Sequence, residues 1–440
     1  MPSLARTLNL RDLILLVIGT VIGSGIFLVP GPVLRASGGS LGVALAVWTV
    51  AGILSLLGAL TYGELGAMNP EAGGLYIYIR DAFGPLAAFL YGWTAFFVIS
   101  AGSMATLAVA FTAYLGQFVE LSPVAGKITA LLMIVVLMLV NVRGTRQGAD
   151  VQNVSTLIKV VAIAIMSVLL LVLGNGPAST TPMWPATVDT SLLRGIGLAM
   201  VSVLWAYEGW QYATFSAGET INPQRTFPRG IVIGTALLIG IYLLVNFAYV
   251  AALGTDGAAH SDRIAAEAVG AVFGPVAAKA IAAIILVSMF SAANGIALTA
   301  PRMFYAMAND GIFFSRMANV HPRFGTPAFA IVAFCSWAMV LAASGSFEQL
   351  LTYVVFVGWI FYALGALAIF AYRRNAPDAV RPFRTPGYPL TPILFVLSAV
   401  AIVGNTVIAE PGRAAVGLGM VALGVPAFML WRAKAKRAAR

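Results

Sequence analysis

Long runs of apolar residues follow one another along the whole chain, separated by short polar stretches. Each run is roughly 17 to 25 residues or longer, enough for an α-helix to cross a hydrocarbon core of about 30 Å. No connection between the runs is long enough to hold a soluble domain. The pattern predicts an all-α membrane protein with a single transmembrane domain over residues 1–440 and twelve spans, at 13–34, 41–66, 83–118, 124–141, 154–174, 191–216, 230–253, 267–304, 328–344, 349–371, 388–409 and 414–431.

Composition supports a membrane protein and explains the charge. Of the 440 residues, 60% are hydrophobic and 10% are charged, too apolar a composition for a water-soluble globule. A net charge of +10 would also suit a nucleic-acid-binding protein. Successive loops lie on opposite sides of the membrane. Most of the lysines and arginines lie in the loops on the same side as the N terminus. The positive-inside rule then places both termini in the cytoplasm and the chain in the inner or plasma membrane of the cell.

The sequence contains few of the residues and motifs that catalytic, metal and cofactor sites use. The histidines are His260 and His321, and the one cysteine is Cys335, so no metal-ligand cluster and no cofactor are expected. No Walker-type loop is present to bind ATP. An intramembrane enzyme would need a catalytic pair at depth, and Glu208 with Lys159 is the one candidate pair. Two such ionisable residues belong equally well to a transport path, so we expect no enzymatic activity.

Two short features of the sequence occur twice. The stretch Phe83-Gly84-Pro85 recurs as Phe273-Gly274-Pro275, and the interruption Gly23-Ser24-Gly25 in segment one has a counterpart, Glu208-Gly209-Trp210, in segment six. The copies lie five segments apart, an odd number, so they cross the membrane in opposite senses. This predicts a five-plus-five inverted repeat, although chance recurrence of small-residue turns is the alternative. The predicted parts are repeat one at about 10–175, repeat two at about 190–372, and two appended helices at about 387–431.

The two interruptions predict a binding site. Unpaired backbone groups are tolerated at membrane depth where they line a cavity or meet a ligand. The triplet at 23–25 precedes a half-helix whose free N–H groups and positive dipole end suit an anion such as a carboxylate. Gly209 frees carbonyls, including those of Trp205 and Ala206, that suit an ammonium. Together these groups match the backbone of an α-amino acid, whereas an isolated Gly-x-Gly would be explained by helix packing.

Longer motifs along nearly the whole chain point to one family. They are "GTVIGSGIF" (19–27), "YGELGAMNPEAGGLYIYIRDAFGPLAAFLYGW" (62–93), "WAYEGWQY" (205–212), "GETINPQRTFPRGI" (218–231), "MFSAANGIALTAPRMFYAMANDG" (289–311) and "RPFRTPGYPLTP" (381–392). With these motifs the chain resembles the amino acid-polyamine-organocation superfamily, and most closely the L-type amino acid transporters and their bacterial relatives. The resemblance implies a LeuT-like fold with helices one and six unwound around the substrate. It also implies a sodium-independent secondary transporter of L-amino acids that works by alternating access.

The resemblance assigns roles to several residues. Ser24 and Gly25 would hold the substrate carboxylate. The amino group would lie between the carbonyl of Ile22 or Gly23 and those of Trp205 and Ala206. Trp205 stands where many relatives have a phenylalanine lid, so the resemblance does not set the size of the bound side chain. Further candidates for the side-chain pocket, on helices three, eight and ten, are Ser100, Ser103, Asn294 and Gly358.

Glu208 departs from the family pattern, because animal L-type members generally have glycine in this position. A carboxylate at membrane depth is costly and usually functional. It would pair with a buried basic group, couple transport to protons or contact a cationic substrate; facing a water-filled vestibule is the alternative. Few other charges approach the pocket, which favours neutral amino acids. A cationic amino acid or polyamine permease stays open, as does an amino-acid-binding channel or sensor.

Lys159 is a second ionisable residue of interest inside a predicted span, about one turn from the cytoplasmic end of segment five. A lysine this shallow could extend its ammonium to the interface. The resemblance instead implies that the ammonium replaces a sodium ion, bridging carbonyls around Gly19 to the hydroxyls of Ser288 and Ser291. A permanently charged Lys159 implies an exchanger or facilitator. Because burial favours the neutral amine, a lysine that releases its proton implies a proton symporter.

The partners follow from the same resemblance. An amino acid substrate, the lipid bilayer and protons are the expected ones, and no nucleic acid is expected. In animals the L-type light chains join a heavy chain through a cysteine in the loop between helices three and four. The corresponding loop at 116–126 contains no cysteine. We therefore expect no disulfide-linked heavy chain.

Overall fold

A computed structural model describes residues 4–177, 182–344 and 347–438 of the chain. Regular structure in these ranges is helical, apart from one isolated bridge between Leu8 and Thr220. The α-helices are α1 (Leu10–Val21), α2 (Gly25–Leu28), α3 (Pro30–Ala36), α4 (Leu41–Met68), α5 (Leu75–Phe83), α6 (Pro85–Thr94), α7 (Ser100–Leu115), α8 (Pro123–Val142), α9 (Thr145–Leu173), α10 (Thr190–Ala206), α11 (Pro223–His260), α12 (Ile264–Phe273), α13 (Pro275–Asn309), α14 (Ala328–Ser344), α15 (Phe347–Asn375), α16 (Leu390–Ala409) and α17 (Pro411–Ala438). A π-helical segment, Ala95–Ile99, joins α6 to α7, and two 3-10 helices span Trp210–Glu219 and Ser315–Ala318.

The chain is a multi-pass membrane protein. Within the described ranges, 10 helical segments are long and apolar enough to cross a membrane, and they match ten of the predicted segments. The ninth predicted segment forms α14, which has 17 residues. The first predicted segment is divided among α1, α2 and α3, each too short to cross alone.

The first segment breaks where its sequence disfavours a helix. Asn9 and Asp12 form a reciprocal capping box that starts α1. The helix ends at Val21, before a glycine-serine pair that is weak in helix interiors. The break covers residues 22–24, and Gly25 begins α2. The break is therefore shifted by one residue from the predicted triplet at 23–25.

The second break lies between α10 and the 3-10 helix Trp210–Glu219. Gly209 has φ 132°, a value that side-chain-bearing residues rarely adopt. A Cβ on Gly209 would lie 2.9 Å from the carbonyl carbon and oxygen of Thr20 in α1. Glycine thus lets the two interrupted segments meet backbone to backbone.

The two Gly-Pro stretches have the same local geometry. Gly84 ends the short helix α5 with φ 88° and ψ 175°, and Gly274 ends the short helix α12 with φ 83° and ψ 179°. In each case the next residue is a proline that begins a long helical segment. Proline suits this first helical position because the N–H that it lacks would have no partner there.

Candidate functional site

A cavity of about 60 Å³ lies where the two interrupted segments meet. Thr20, Val21, Gly23, Ser24 and Gly25 line it from the first segment, and Trp205, Ala206, Glu208 and Gly209 line it from the sixth. The rest of the wall comes from α7, the 3-10 helix that begins at Trp210, α13 and α15, with Ser103, Thr106, Leu107, Tyr212, Ala292, Ile296 and Val354. A cavity of this volume holds a few water molecules or a small solute.

The first break offers hydrogen-bond donors to this cavity. The backbone N–H groups of Ser24, Gly25 and Ile26 donate to no carbonyl among the described residues. The Ser24 hydroxyl is buried, and no partner for it occurs in the described part of the chain. Unpaired donors at the start of a helix form a site for an anion.

The carbonyls expected to bind the substrate amino group already accept hydrogen bonds from other residues, and the number differs between them. The Ile22 carbonyl accepts a bond from Lys159 Nζ (2.5 Å) and lies 2.8 Å from Ser288 Oγ, whose single proton it shares with the Gly23 carbonyl. The Gly23 carbonyl accepts one bond from Ser288, and the Ala206 carbonyl accepts one from the Tyr242 hydroxyl (2.8 Å). The Gly23 carbonyl is therefore more available to an amino group than the Ile22 carbonyl.

Glu208 brings an unused acceptor to the cavity. Its Oε1 accepts a hydrogen bond from the Tyr362 hydroxyl (2.8 Å). That hydroxyl accepts one from Gln211 Nε2, and Gln211 Oε1 accepts the N–H of Gly209. Glu208 Oε2 is buried and no described residue bonds to it. Glu208 is thus held by a tyrosine rather than by a basic group, with one oxygen left for a donor in the cavity.

Lys159 is fully buried and tied to the first break. Its Nζ donates to the carbonyls of Gly19 (2.7 Å) and Ile22 (2.5 Å) and lies 3.4 Å from that of Ser288. The residue lies roughly 20 Å along α9 from its start at Thr145, at 1.5 Å per residue. The ammonium therefore does not extend to the interface, because it is buried and bonded to the backbone of the first segment.

The predicted contact with Gly19 is present, but the two serine contacts differ from expectation. Ser288 faces Lys159 with its carbonyl, while its hydroxyl proton is shared between the carbonyls of Ile22 and Gly23. The Ser291 hydroxyl pairs with Thr156 Oγ1 at 3.2 Å. Neither hydroxyl binds Lys159, because the backbone around the first break supplies the acceptors.

Of the predicted site residues, Ile22, Ser100, Asn294 and Gly358 do not line the cavity. Asn294 belongs to a buried amide network in which its Nδ2 donates to Gln152 Oε1 (3.0 Å) and its Oδ1 accepts from Asn141 (2.9 Å). Ser100 is buried. A Cβ at Gly358 would meet the hydroxyl of Tyr362 at 3.1 Å, so this glycine makes room for the tyrosine that holds Glu208.

Sequence reasoning missed several residues of the wall. Thr106 follows the predicted Ser103 by three positions, a spacing that places both on one helix face and could have revealed it. Tyr212 stands at the end of the motif 205–212, beside the predicted Glu208 and Gly209. Ile296 and Val354 carry no signal that distinguishes them from other apolar residues of their helices.

A buried ion pair lies on the N-terminal side of the cavity. Arg302 Nε donates to Glu219 Oε2 (2.7 Å), both side chains are fully buried, and Thr145 bonds to both of them. Arg302 lies inside α13. The backbone N–H groups of Thr7 and Leu8 donate to the carbonyl of Glu219, so the segment before α1 is tied to the same point.

Known proteins provide an independent comparison. The family model described as "Amino acid permease" matches residues 8–430. The serine/threonine exchanger SteT of Bacillus subtilis (strain 168) is 30% identical over 429 residues, covering 97% of each chain. The human cystine/glutamate transporter is 31% identical over 434 residues, covering 98% of this chain and 86% of the relative. The mouse b(0,+)-type amino acid transporter 1 is 33% identical over 414 residues, covering 93% and 84% respectively.

Proposed function

Because the chain belongs to the amino acid permease family of the amino acid-polyamine-organocation superfamily, we propose that it is a sodium-independent secondary transporter of L-amino acids. It moves neutral amino acids across the cell membrane, with both termini in the cytoplasm, as an exchanger, facilitator or proton symporter. The observation that carries this proposal is the cavity between the two helix breaks, with unpaired donors on one side and acceptors on the other.

The substrate backbone fits this polarity. Its carboxylate accepts from the Ser24 hydroxyl and from the N–H groups of Gly25 and Ile26. Its ammonium donates to the acceptors opposite, the carbonyls of Gly23 and Ala206. The side chain projects between Trp205 and the wall from α7, and the small cavity favours a small side chain.

Alternating access requires two bodies that move against each other. We assign twelve membrane helices and a five-plus-five inverted repeat of LeuT type, supported by the paired geometry of Gly84 and Gly274. Rocking of the segments that carry the breaks would open the cavity to either side in turn. On the N-terminal side this movement must separate the groups held by Glu219 and Arg302.

Lys159 supports the sodium-independent part of the proposal. Its ammonium is surrounded by the carbonyls of Gly19, Ile22 and Ser288, the kind of oxygen cage that binds a sodium ion. A fixed positive charge there stabilises the unwound backbone of the first segment. An ion from solution is then not required.

An uptake panel tests the proposal. The purified chain in proteoliposomes is offered about twenty labelled amino acids, with sodium or choline outside, with and without internal substrate and a pH gradient. We expect uptake of small neutral amino acids at equal rates in sodium and choline. Uptake that needs sodium, or no uptake of any amino acid by a folded chain, would refute the proposal.

A second candidate is a permease for cationic amino acids or polyamines, favoured by the unbonded Oε2 of Glu208. Competition by arginine and by putrescine, which lacks a carboxylate, distinguishes the two candidates. If a cation binds here, Glu208→Gln weakens competition by arginine by about tenfold or more, because a charge-assisted bond is lost. Tyr362→Phe is the matched control, since it keeps the carboxylate and removes the hydroxyl that Oε1 binds. Equal competition in wild type and Glu208→Gln excludes a cation at this carboxylate.

A channel or sensor that binds amino acids is the candidate from another class. Counterflow separates it from a carrier. Labelled amino acid that accumulates in proteoliposomes loaded with unlabelled substrate requires a site that alternates between the two sides. A channel dissipates the gradient without such accumulation.

A further inference from the structure

A second cavity lies away from the helix breaks. It has a volume of about 980 Å³, and its walls come from the π-helical segment, the loop after α13, α14 and the end of α17. Aromatic side chains dominate it, among them Phe97, Phe313, Trp337 and Trp431. Its volume falls at the upper end of the range, about 300 to 1,000 Å³, in which small-molecule pockets occur. We call this cavity the aromatic groove.

The aromatic groove is open toward the surroundings of the helix bundle. Phe314 is 46% exposed, Phe329 is 42% exposed and Leu430 is 72% exposed. These residues lie on helices, or next to helices, that face the hydrocarbon of the bilayer. Trp431 stands near the end of the last membrane span, at the depth where tryptophan is enriched in membrane proteins. The groove therefore takes its occupant from one leaflet, near the headgroups.

The polar end of the groove is positive. Arg316 lines it, is exposed, and forms no side-chain hydrogen bond or ion pair with the described residues. Arg432 directly follows Trp431 and is also exposed, and the sequence continues with Lys434, Lys436 and Arg437. No acidic residue lines the groove. Basic residues immediately beyond a membrane helix attract anionic headgroups.

We propose that the aromatic groove is a binding site for an anionic phospholipid of the cytoplasmic leaflet. Its acyl chains lie against the aromatic side chains, and its phosphate pairs with Arg316 and Arg432. An apolar wall with a cationic rim matches an amphiphile with a negative headgroup.

The groove is connected to the candidate substrate site through one element. Phe96 and Phe97 lie in the π-helical segment, where Trp337 Nε1 donates to the Phe97 carbonyl at 3.0 Å. The same helix continues into α7, whose Ser103 and Thr106 line the small cavity. π-helical segments are frequent at functional sites because they displace the residues that follow. A lipid in the groove therefore contacts the segment that positions one wall of the substrate site.

Fluorescence quenching by brominated lipids tests the proposal. The full chain is reconstituted in phosphatidylcholine with rising fractions of phosphatidylglycerol, and bromine is placed on the acyl chains of one lipid at a time. The difference between wild type and Trp431→Phe isolates the signal of Trp431 from the other tryptophans. We expect brominated phosphatidylglycerol to quench Trp431 at about thirtyfold lower mole fraction than brominated phosphatidylcholine, from about 1 kcal/mol for each of Arg316 and Arg432.

Two arginine variants make the test specific. Arg316→Ala should reduce the preference for phosphatidylglycerol, and Arg316→Ala with Arg432→Ala should abolish it. Arg323→Ala is the matched control, because Arg323 is exposed in the same loop and stacks over Phe324 outside the groove. Equal quenching by both lipids in wild type, or a preference that survives the double substitution, would overturn the proposal. Absence of quenching in a chain that is dimeric would assign the groove to a second copy and overturn it as well.

Discussion

At the scale of single residues, Lys159 is the group whose removal should change transport most. Lys159→Ala deletes an ammonium that donates to Gly19 and Ile22. Hydrogen bonds to charged groups contribute about 1.5 to 3 kcal/mol each, so we expect uptake to fall by about a hundredfold or more. The measurement is initial uptake in proteoliposomes at equal protein density.

Ser291→Ala is the control for that variant. The family resemblance implies that the Ser291 hydroxyl contacts Lys159. In the structure this hydroxyl pairs with Thr156 Oγ1 instead. We expect this variant to transport nearly as well as wild type. Wild-type uptake in Lys159→Ala, or an equal loss in both variants, would contradict the role of the ammonium.

At the scale of elements, the contact between the two interrupted segments depends on Gly209. In Gly209→Ala a methyl group would lie 2.9 Å from the backbone of Thr20, at a φ that alanine avoids. Strain of this kind costs about 1 to 3 kcal/mol. We therefore expect a lower unfolding temperature in detergent and a loss of substrate binding.

The neighbouring helix α10 offers a matched glycine. Gly197 is exposed, and a Cβ there would meet no atom within 4 Å. Gly197→Ala should keep the unfolding temperature or raise it, because alanine is the better helix former. Equal unfolding temperatures for Gly209→Ala and Gly197→Ala would show that close packing at Gly209 does not stabilise the contact between the two interrupted segments.

A second prediction at this scale concerns the ion pair that joins α13 to the 3-10 helix ending at Glu219. Arg302→Met leaves a buried carboxylate without its partner, and such a change costs about 3 to 5 kcal/mol. We expect a marked fall in unfolding temperature. Arg302→Met combined with Glu219→Leu should recover much of it, since apolar residues replace both charges. If the double variant unfolds at a lower temperature than Arg302→Met alone, the unpaired carboxylate of Glu219 is not the cause of the lower stability.

At the scale of the whole molecule, the chain should function without a covalent partner. Its one cysteine, Cys335, is fully buried in α14. Isolated from its native membrane, the chain should migrate identically on reducing and non-reducing gels. Glu120→Cys, in the exposed loop before α8, is the positive control and should form a disulfide-linked species on oxidation. A slower band from the wild-type chain that disappears on reduction would contradict the prediction.

Much of this architecture could be predicted from residue spacing. Apolar run length locates membrane helices because a bilayer has a fixed thickness, and ten predicted segments match the helices that are long enough to span it. The breaks were located within one residue, because glycine weakens a helix wherever it stands. α14 has the 17 residues predicted for segment nine, and the first segment is divided among α1, α2 and α3 around the break that its glycines predict.

The partners of the polar groups could not be predicted in the same way. Ser103, Trp205 and Glu208 line the cavity as expected, yet Asn294 and Gly358 lie behind it, because the side that a residue faces depends on the rotation of its helix against its neighbours. The residues of the aromatic groove come from four separate parts of the chain, so no local sequence pattern predicts the groove. Local spacing determines where helices run and where they weaken. Which acceptors surround Lys159, and which oxygen of Glu208 is left unbonded, depends on contacts between residues far apart in the chain, and these exist only once the helices have packed.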